Sequence, residues 1–252
     1  YEPWLRDSAL HFQSLLAGDP KGAREAAGEA PAEAETCLLF ADGLRFDLAA
    51  KLAAGLEGRS MKVNLAWRLA ALPTVTATGK PAAAGMGKGI RGGDGADFKP
   101  LVETKSGWKL LAALFRERLE AAGVEVLDSD EARMPAGAPR GGWTECGSID
   151  SKGHSLQEEL VHQLPAEIEK IAGRVAALLD AGWRRVRVVT DHGWLLLAGG
   201  LPKVELPSYL VETKWARCAL VKGQPELAMP VIGWHWGEDV RVASPPGIAL
   251  SL

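Results

Sequence analysis

Asp191 and His192 stand directly after the apolar run Val186-Arg187-Val188-Val189-Thr190. An oxygen donor beside a nitrogen donor at the end of a buried strand is what a zinc or manganese site needs. Asp42 follows Thr36-Cys37-Leu38-Leu39-Phe40-Ala41 in the same way, and reads either as a further ligand or as the N-cap of the helix that opens near Leu44. Asp150-Ser151-Lys152-Gly153-His154 sets Asp and His four apart, a spacing that brings both side chains to one ion on a tight turn or first helical turn and that also arises by chance. Pro73-Thr74-Val75-Thr76-Ala77-Thr78-Gly79 offers three hydroxyls. They either cap the helix that follows, or one becomes an alkoxide nucleophile once a divalent ion lowers its pKa, with helix-terminal N–H groups receiving phosphoryl oxygens. His235, between Trp234 and Trp236, is a ligand or a member of an aromatic cluster, whereas His11 and His162 fall on predicted helices as surface or packing residues. Gly85-Met86-Gly87-Lys88-Gly89 lacks the phosphate-loop spacing, and neither Gly-x-Ser-x-Gly nor His-Glu-x-x-His occurs.

The elements that must position these residues alternate. Leu5, Leu10, Phe12, Leu15 and Leu16 mark a first helix, followed by an Ala/Gly/Glu-rich stretch to Glu35. The run at 36–41 is a buried strand feeding a helix over 44–56, and Met61 to Leu65 reads as a second strand. The segment 72–84 is rich in small residues, and six glycines between 85 and 95 predict a mobile loop. Trp108, Leu111, Phe115 and Leu119 line a helix closed by Gly123, with a strand at Val124–Leu127. After a Pro/Gly connection over 134–142 come a strand over 143–149, a helix over 158–179 and the strand at 186–190; shorter β-prone pieces, such as 219–221 and 240–242, follow. The order predicts an α/β fold with an open, mainly parallel sheet covered on both faces. Ligands gather at the carboxyl ends of such strands, where Asp42 and Asp191 fall.

A chain of 252 residues, 47% hydrophobic, can bury one main core; a formal charge of −3 disfavours a protein whose whole face neutralises nucleic-acid phosphates. No run of apolar residues is long enough to span a membrane, and Tyr1-Glu2-Pro3-Trp4 lacks signal-peptide character. Three scattered cysteines, Cys37, Cys146 and Cys218, give neither a disulfide framework nor a zinc knuckle, so a reducing cytoplasm is expected. The expected layout is a helical lead-in over 1–35 and a catalytic domain over 36–252, a fragment of a longer protein.

Taken in order, these pieces resemble the alkaline-phosphatase superfamily. More narrowly, Leu39-Phe40-Ala41-Asp42-Gly43-Leu44-Arg45-Phe46-Asp47, Val189-Thr190-Asp191-His192-Gly193-Trp194 and Val211-Glu212-Thr213-Lys214-Trp215-Ala216-Arg217-Cys218 resemble the PglZ family of bacterial BREX phage-defence systems. The resemblance runs from about Cys37 to Ile248. It implies a three-layer αβα sandwich, phosphodiesterase or phosphatase activity and two divalent ions, zinc or manganese. One ion would take Asp42, Thr76, Asp191 and His192; the other Asp150, His154 and a later histidine, for which this chain offers His235. The family pattern makes Thr76 the nucleophile, with Thr74 and Thr78 in reserve. It also sets a His-Gly-Gly segment beyond Pro-Pro-Gly-Ile, where this chain has Ala249-Leu250-Ser251-Leu252. A phosphate ester, DNA or a nucleotide among the candidates, is the implied substrate, with Arg91, Lys99, Lys105 and Lys214 as local positive charge. Methyltransferase and ATPase partners and a cytoplasmic location follow from the same resemblance. The alternative class is a non-catalytic docking module of the defence complex, for which nine tryptophans, most of them expected in the core, supply aromatic anchors.

Overall fold

The structure is a computed structural model, and it describes residues 2–27, 33–135, 141–197, 199–208, 211–227 and 229–250. The apolar run after Glu35 forms β1 (Thr36–Phe40), every residue of it buried. It is the centre of a four-stranded sheet in which β5 (Glu125–Val126), β6 (Gly142–Glu145), β1 and β7 (Arg185–Val189) lie side by side in that order, all parallel. Helices cover both faces of β1 in this parallel sheet, so it has no solvated face, which explains the absence of polar alternation in its sequence. Cys37, Leu39 and Ala41 pack with α3 (Phe46–Glu57) and α7 (Leu160–Asp180). Leu38 and Phe40 pack with Ala83 and Ala84 at the end of α4 (Thr76–Ala83) and with Phe115 and Leu119 of α5 (Leu111–Ala121). The fold is therefore α/β around a parallel sheet. The predicted strand at 186–190 is β7, one residue earlier.

A second sheet explains how α4 is held. Strands β9 (Val211–Trp215), β10 (Cys218–Val221), β11 (Val231–Trp234) and β12 (Gly237–Ala243) form an antiparallel sheet in the order β11-β12-β10-β9. Its Cys218, Trp234, Trp236 and Val242 pack with Val75 and Ala82 around α4. A three-stranded meander of β2 (Ile90–Arg91), β3 (Leu101–Thr104) and β4 (Gly107–Leu110) and a parallel pair of β8 (Lys203–Val204) with β13 (Ala249–Leu250) complete the strands. The lead-in folds as α1 (Glu2–Gly18) and a short α2 (Pro20–Glu25), the latter capped by Asp19, whose Oδ1 accepts from Gly22 N at 2.9 Å. Among the described residues, no helix is long and apolar enough to cross a membrane.

Several predicted elements fall elsewhere. Met61 to Leu65 has no regular secondary structure; Met61 and Val63 pack against the core cluster without joining a sheet among the described residues. Trp108 belongs to β4, with the Arg91 guanidinium 4.2 Å from its ring centroid, and the helix begins only at Leu111. The expected strand over 143–149 ends at Glu145, and Ile149 opens α6 (Ile149–Leu156) instead. The glycine-rich loop contributes β2 to the meander. Residues 136–140 of the Pro/Gly connection, and 28–32 of the Ala/Gly/Glu stretch, lie outside the described residues.

Candidate metal centre

Four elements converge at the carboxyl edge of the parallel sheet. Asp42 leaves β1, Asp191 and His192 leave β7, Asp150 stands in the first turn of α6, and Thr76 opens α4. Asp42, Asp150 and His192 each bring one ligating atom to within 4.8 Å of the others. His192 Nε2 lies 3.6 Å from Asp42 Oδ1, 3.6 Å from Asp191 Oδ2 and 3.8 Å from Asp150 Oδ1. The Thr76 hydroxyl joins them, 3.3 Å from His192 Nε2 and 3.4 Å from Asp42 Oδ1.

Each side chain is aimed by its local backbone. His192 Nδ1 is 3.0 Å from the Gly193 carbonyl, which can only accept, so in the neutral ring Nδ1 carries the proton and the Nε2 lone pair faces the carboxylates. Asp191 Oδ1 accepts from the N–H of His192 at 3.0 Å and of Gly43 at 3.4 Å. Gly43 makes the second of these bonds from a left-handed backbone (φ 67°) that other residues resist. Asp191 Oδ2, by contrast, is buried without a hydrogen-bond partner among the described residues. A buried, unpartnered carboxylate oxygen beside an imidazole lone pair and two further carboxylates is a donor set that a divalent cation satisfies. The residues present therefore fit a metal ion, and Asp42, Asp150, Asp191 and His192 would hold it.

The capping alternatives do not hold. Arg45 occupies the N-cap of α3 and Val75 that of α4, neither with a side-chain cap, so Asp42 and Thr76 are left for the cluster. Thr78 is spent on structure: fully buried, it donates to the Phe98 carbonyl at 3.1 Å and accepts from Trp234 Nε1 at 2.9 Å. His154 lies on the outer side of Asp150, its Nε2 3.4 Å from Asp150 Oδ2 and its side chain 70% exposed. Asp150 thus turns one oxygen toward His192 and the other toward His154. His235 is not brought to the cluster. It lines a small cavity with Leu16, Arg24 and Leu72, its ring 4.5 Å edge-on from Trp236, and burial, then the charge of Arg24, pushes its pKa down to about 4. This is the aromatic-cluster reading. His11 and His162 are exposed. Of the lysines and arginines expected to serve substrate, Lys99 and Lys214 share Asp97, at 2.9 and 3.9 Å.

Two residues at the site carry no catalytic signature in the sequence. Gly79 lets α4 lie against the Asp191 backbone, since a Cβ there would stand 2.6 Å from Asp191 Cβ. Gly79→Ala is therefore expected to push α4 off Asp191 and to destabilise the chain by about 1–3 kcal/mol; an unchanged denaturant midpoint would contradict this packing. Lys80, one turn beyond Thr76, is 2.7 Å from the Glu145 carboxylate and 5.4 and 5.3 Å from the ring centroids of Phe40 and Phe115.

Burial, then the charges of Asp191 and Asp150, push the Asp42 carboxyl up to about 7, with Lys80 pulling the other way. An unfolded Asp titrates near ~3.9, so between these values the folded chain holds a proton that the unfolded chain has released. Stability from this group is complete below about pH 4 and is lost as pH rises toward 7. In chelator, the melting temperature of the wild type relative to Asp42→Asn is expected to fall across that window and then level off. A difference that rises with pH would contradict the burial of Asp42 among like charges.

Comparison of the chain with protein-family models, with curated proteins and with solved structures gives no match.

Proposed function

We propose that this chain is a metal-dependent phosphoester hydrolase of the alkaline-phosphatase type, similar to the PglZ family of BREX defence systems, with Thr76 as nucleophile. The observation that carries the reading is the Thr76 hydroxyl, set at the first position of α4 and within 3.3–3.4 Å of both His192 Nε2 and Asp42 Oδ1. A hydroxyl that merely capped a helix would point along the helix axis at its own backbone; this one faces a carboxylate and imidazole cluster. Packing on both faces of the parallel sheet supports the three-layer αβα sandwich that the resemblance implies.

In the first turn of α4 the N–H groups of Thr78 and Gly79 already donate to the Val75 carbonyl, each at 2.9 Å, so those of Thr76 and Ala77 would receive the phosphoryl oxygens. The Thr76 proton has a carboxylate acceptor in Asp42. As the bond from Thr76 Oγ to phosphorus forms, the bond to the leaving oxygen breaks and its electron pair departs with the alcohol. Water then cleaves the phosphothreonine and restores the hydroxyl. When bound, a divalent ion, zinc or manganese, lowers the hydroxyl pKa and neutralises charge on the phosphoryl group; a second would be held from Asp150 and His154. The substrate is a phosphate ester, DNA or a nucleotide included, and the setting is the cytoplasm beside the methyltransferase and ATPase of the defence system.

The assay is hydrolysis of a chromogenic phosphodiester and the matching monoester with zinc or manganese, with and without chelator. Chelator-sensitive turnover supports the proposal, and the preferred ester names the class. A chain inert with each metal would leave the docking-module reading in its place.

A further inference from the structure

Asp42 and Asp191 are fixed by the ends of adjacent strands, but Asp150 rides on α6, an eight-residue helix joined to β6 by Cys146, Gly147 and Ser148. Three carboxylates at this range repel one another, so Asp150 needs a restraint of its own. That restraint is visible in Glu167 of α7, a carboxylate only 3% exposed. Its Oε2 accepts from Ser148 N at 2.8 Å, and its Oε1 from the Ser148 hydroxyl at 3.0 Å and from Lys152 Nζ at 2.7 Å. Ser148 precedes α6 yet makes no side-chain cap to it, because its hydroxyl is turned to Glu167 instead. The clamp therefore grips the chain two residues before and two residues after Asp150.

We propose that Glu167 is the positioning residue for Asp150, holding the start of α6 against the repulsion of Asp42 and Asp191 so that the cation site is assembled before an ion arrives. This rests on reading the cluster as a cation site. It is independent of whether that site hydrolyses phosphate esters. A preassembled site binds more tightly because none of its binding energy is diverted to reshaping the protein.

The test is calorimetric titration of manganese or zinc into the wild type, Glu167→Gln, Lys152→Met, Asp150→Asn and the Glu167→Gln/Asp150→Asn pair. Glu167→Gln should weaken ion affinity by ~10–100-fold, the range for residues that orient ligands, and Lys152→Met by a smaller factor in the same direction. In the Asp150→Asn background, Glu167→Gln should have no further effect. Unchanged affinity in folded Glu167→Gln, or the same loss with and without Asp150, would overturn the assignment. Should Glu167→Gln fail to fold, Lys152→Met, at a side chain 34% exposed, carries the same comparison. A wild type that binds neither ion overturns the cation site itself, and the clamp's role with it.

Discussion

Thr76→Ala is expected to lower turnover of a phosphate ester on the order of 10³-fold or more, while fold and ion affinity survive largely intact. The size follows from deleting a nucleophile rather than weakening a contact. The survival of the fold follows from position: Thr76 is only half-buried, and the helix it opens takes no cap from its side chain. Thr76→Ser, which keeps the hydroxyl, should retain measurable turnover. Thr78 supplies the opposite pattern. Its removal leaves the buried Trp234 N–H unpaired and should cost about 1–3 kcal/mol of stability, with folded protein still competent in chemistry. Full activity in Thr76→Ala, measured against the same ester, would transfer the role to Thr74 or to water.

Asp191→Asn is expected to separate stability from function. Among the described residues Asp191 Oδ2 is buried without a hydrogen-bond partner, and it lies 3.6 Å from His192 Nε2. In the absence of an ion, removing this charge relieves repulsion on Asp42 and Asp150, and the amide introduces an N–H that an Asp42 oxygen can accept. The variant should therefore melt higher in chelator, by about 2–4 °C for each ~1 kcal/mol recovered. Added zinc or manganese should raise the melting temperature of the wild type and barely move the variant, because affinity lost at a central ligand removes the linkage. Such a trade of stability for a strained site is the ordinary condition of binding centres. Equal metal-induced shifts in both chains would place the ion elsewhere.

How far the sequence carried this picture depends on which forces are local. Thr36 to Phe40 is legible as a strand because burial on both faces leaves a continuous apolar run, and Arg185 to Val189 because three valines of high strand propensity fall within five residues. Asp42, Asp191 and His192 accordingly fall at one sheet edge, and the structure gathers them with Asp150 and Thr76. Met61 to Leu65 has the strand pattern, but Met61 and Val63 satisfy it by packing against the core without pairing with a strand among the described residues. Trp108 fits the helical spacing of Leu111, Phe115 and Leu119, yet pairing with Glu103 draws it into a hairpin. His235 offers a ligand by type alone; its place beside Arg24 is decided by how α1 and α2 pack on β11. Glu167 had no signal at all, since a buried acid on an amphipathic helix is indistinguishable from its solvated neighbours until α6 folds across it.

The measurement that tests the central claim most directly is acid quenching of the protein during turnover of a phosphate ester with zinc or manganese, followed by intact-mass and peptide mass spectrometry. The account predicts a transient adduct of one phosphoryl group on Thr76, absent when chelator is added first and absent in Thr76→Ala. Turnover that proceeds with no adduct in the wild type, or an adduct that persists in Thr76→Ala, would contradict it.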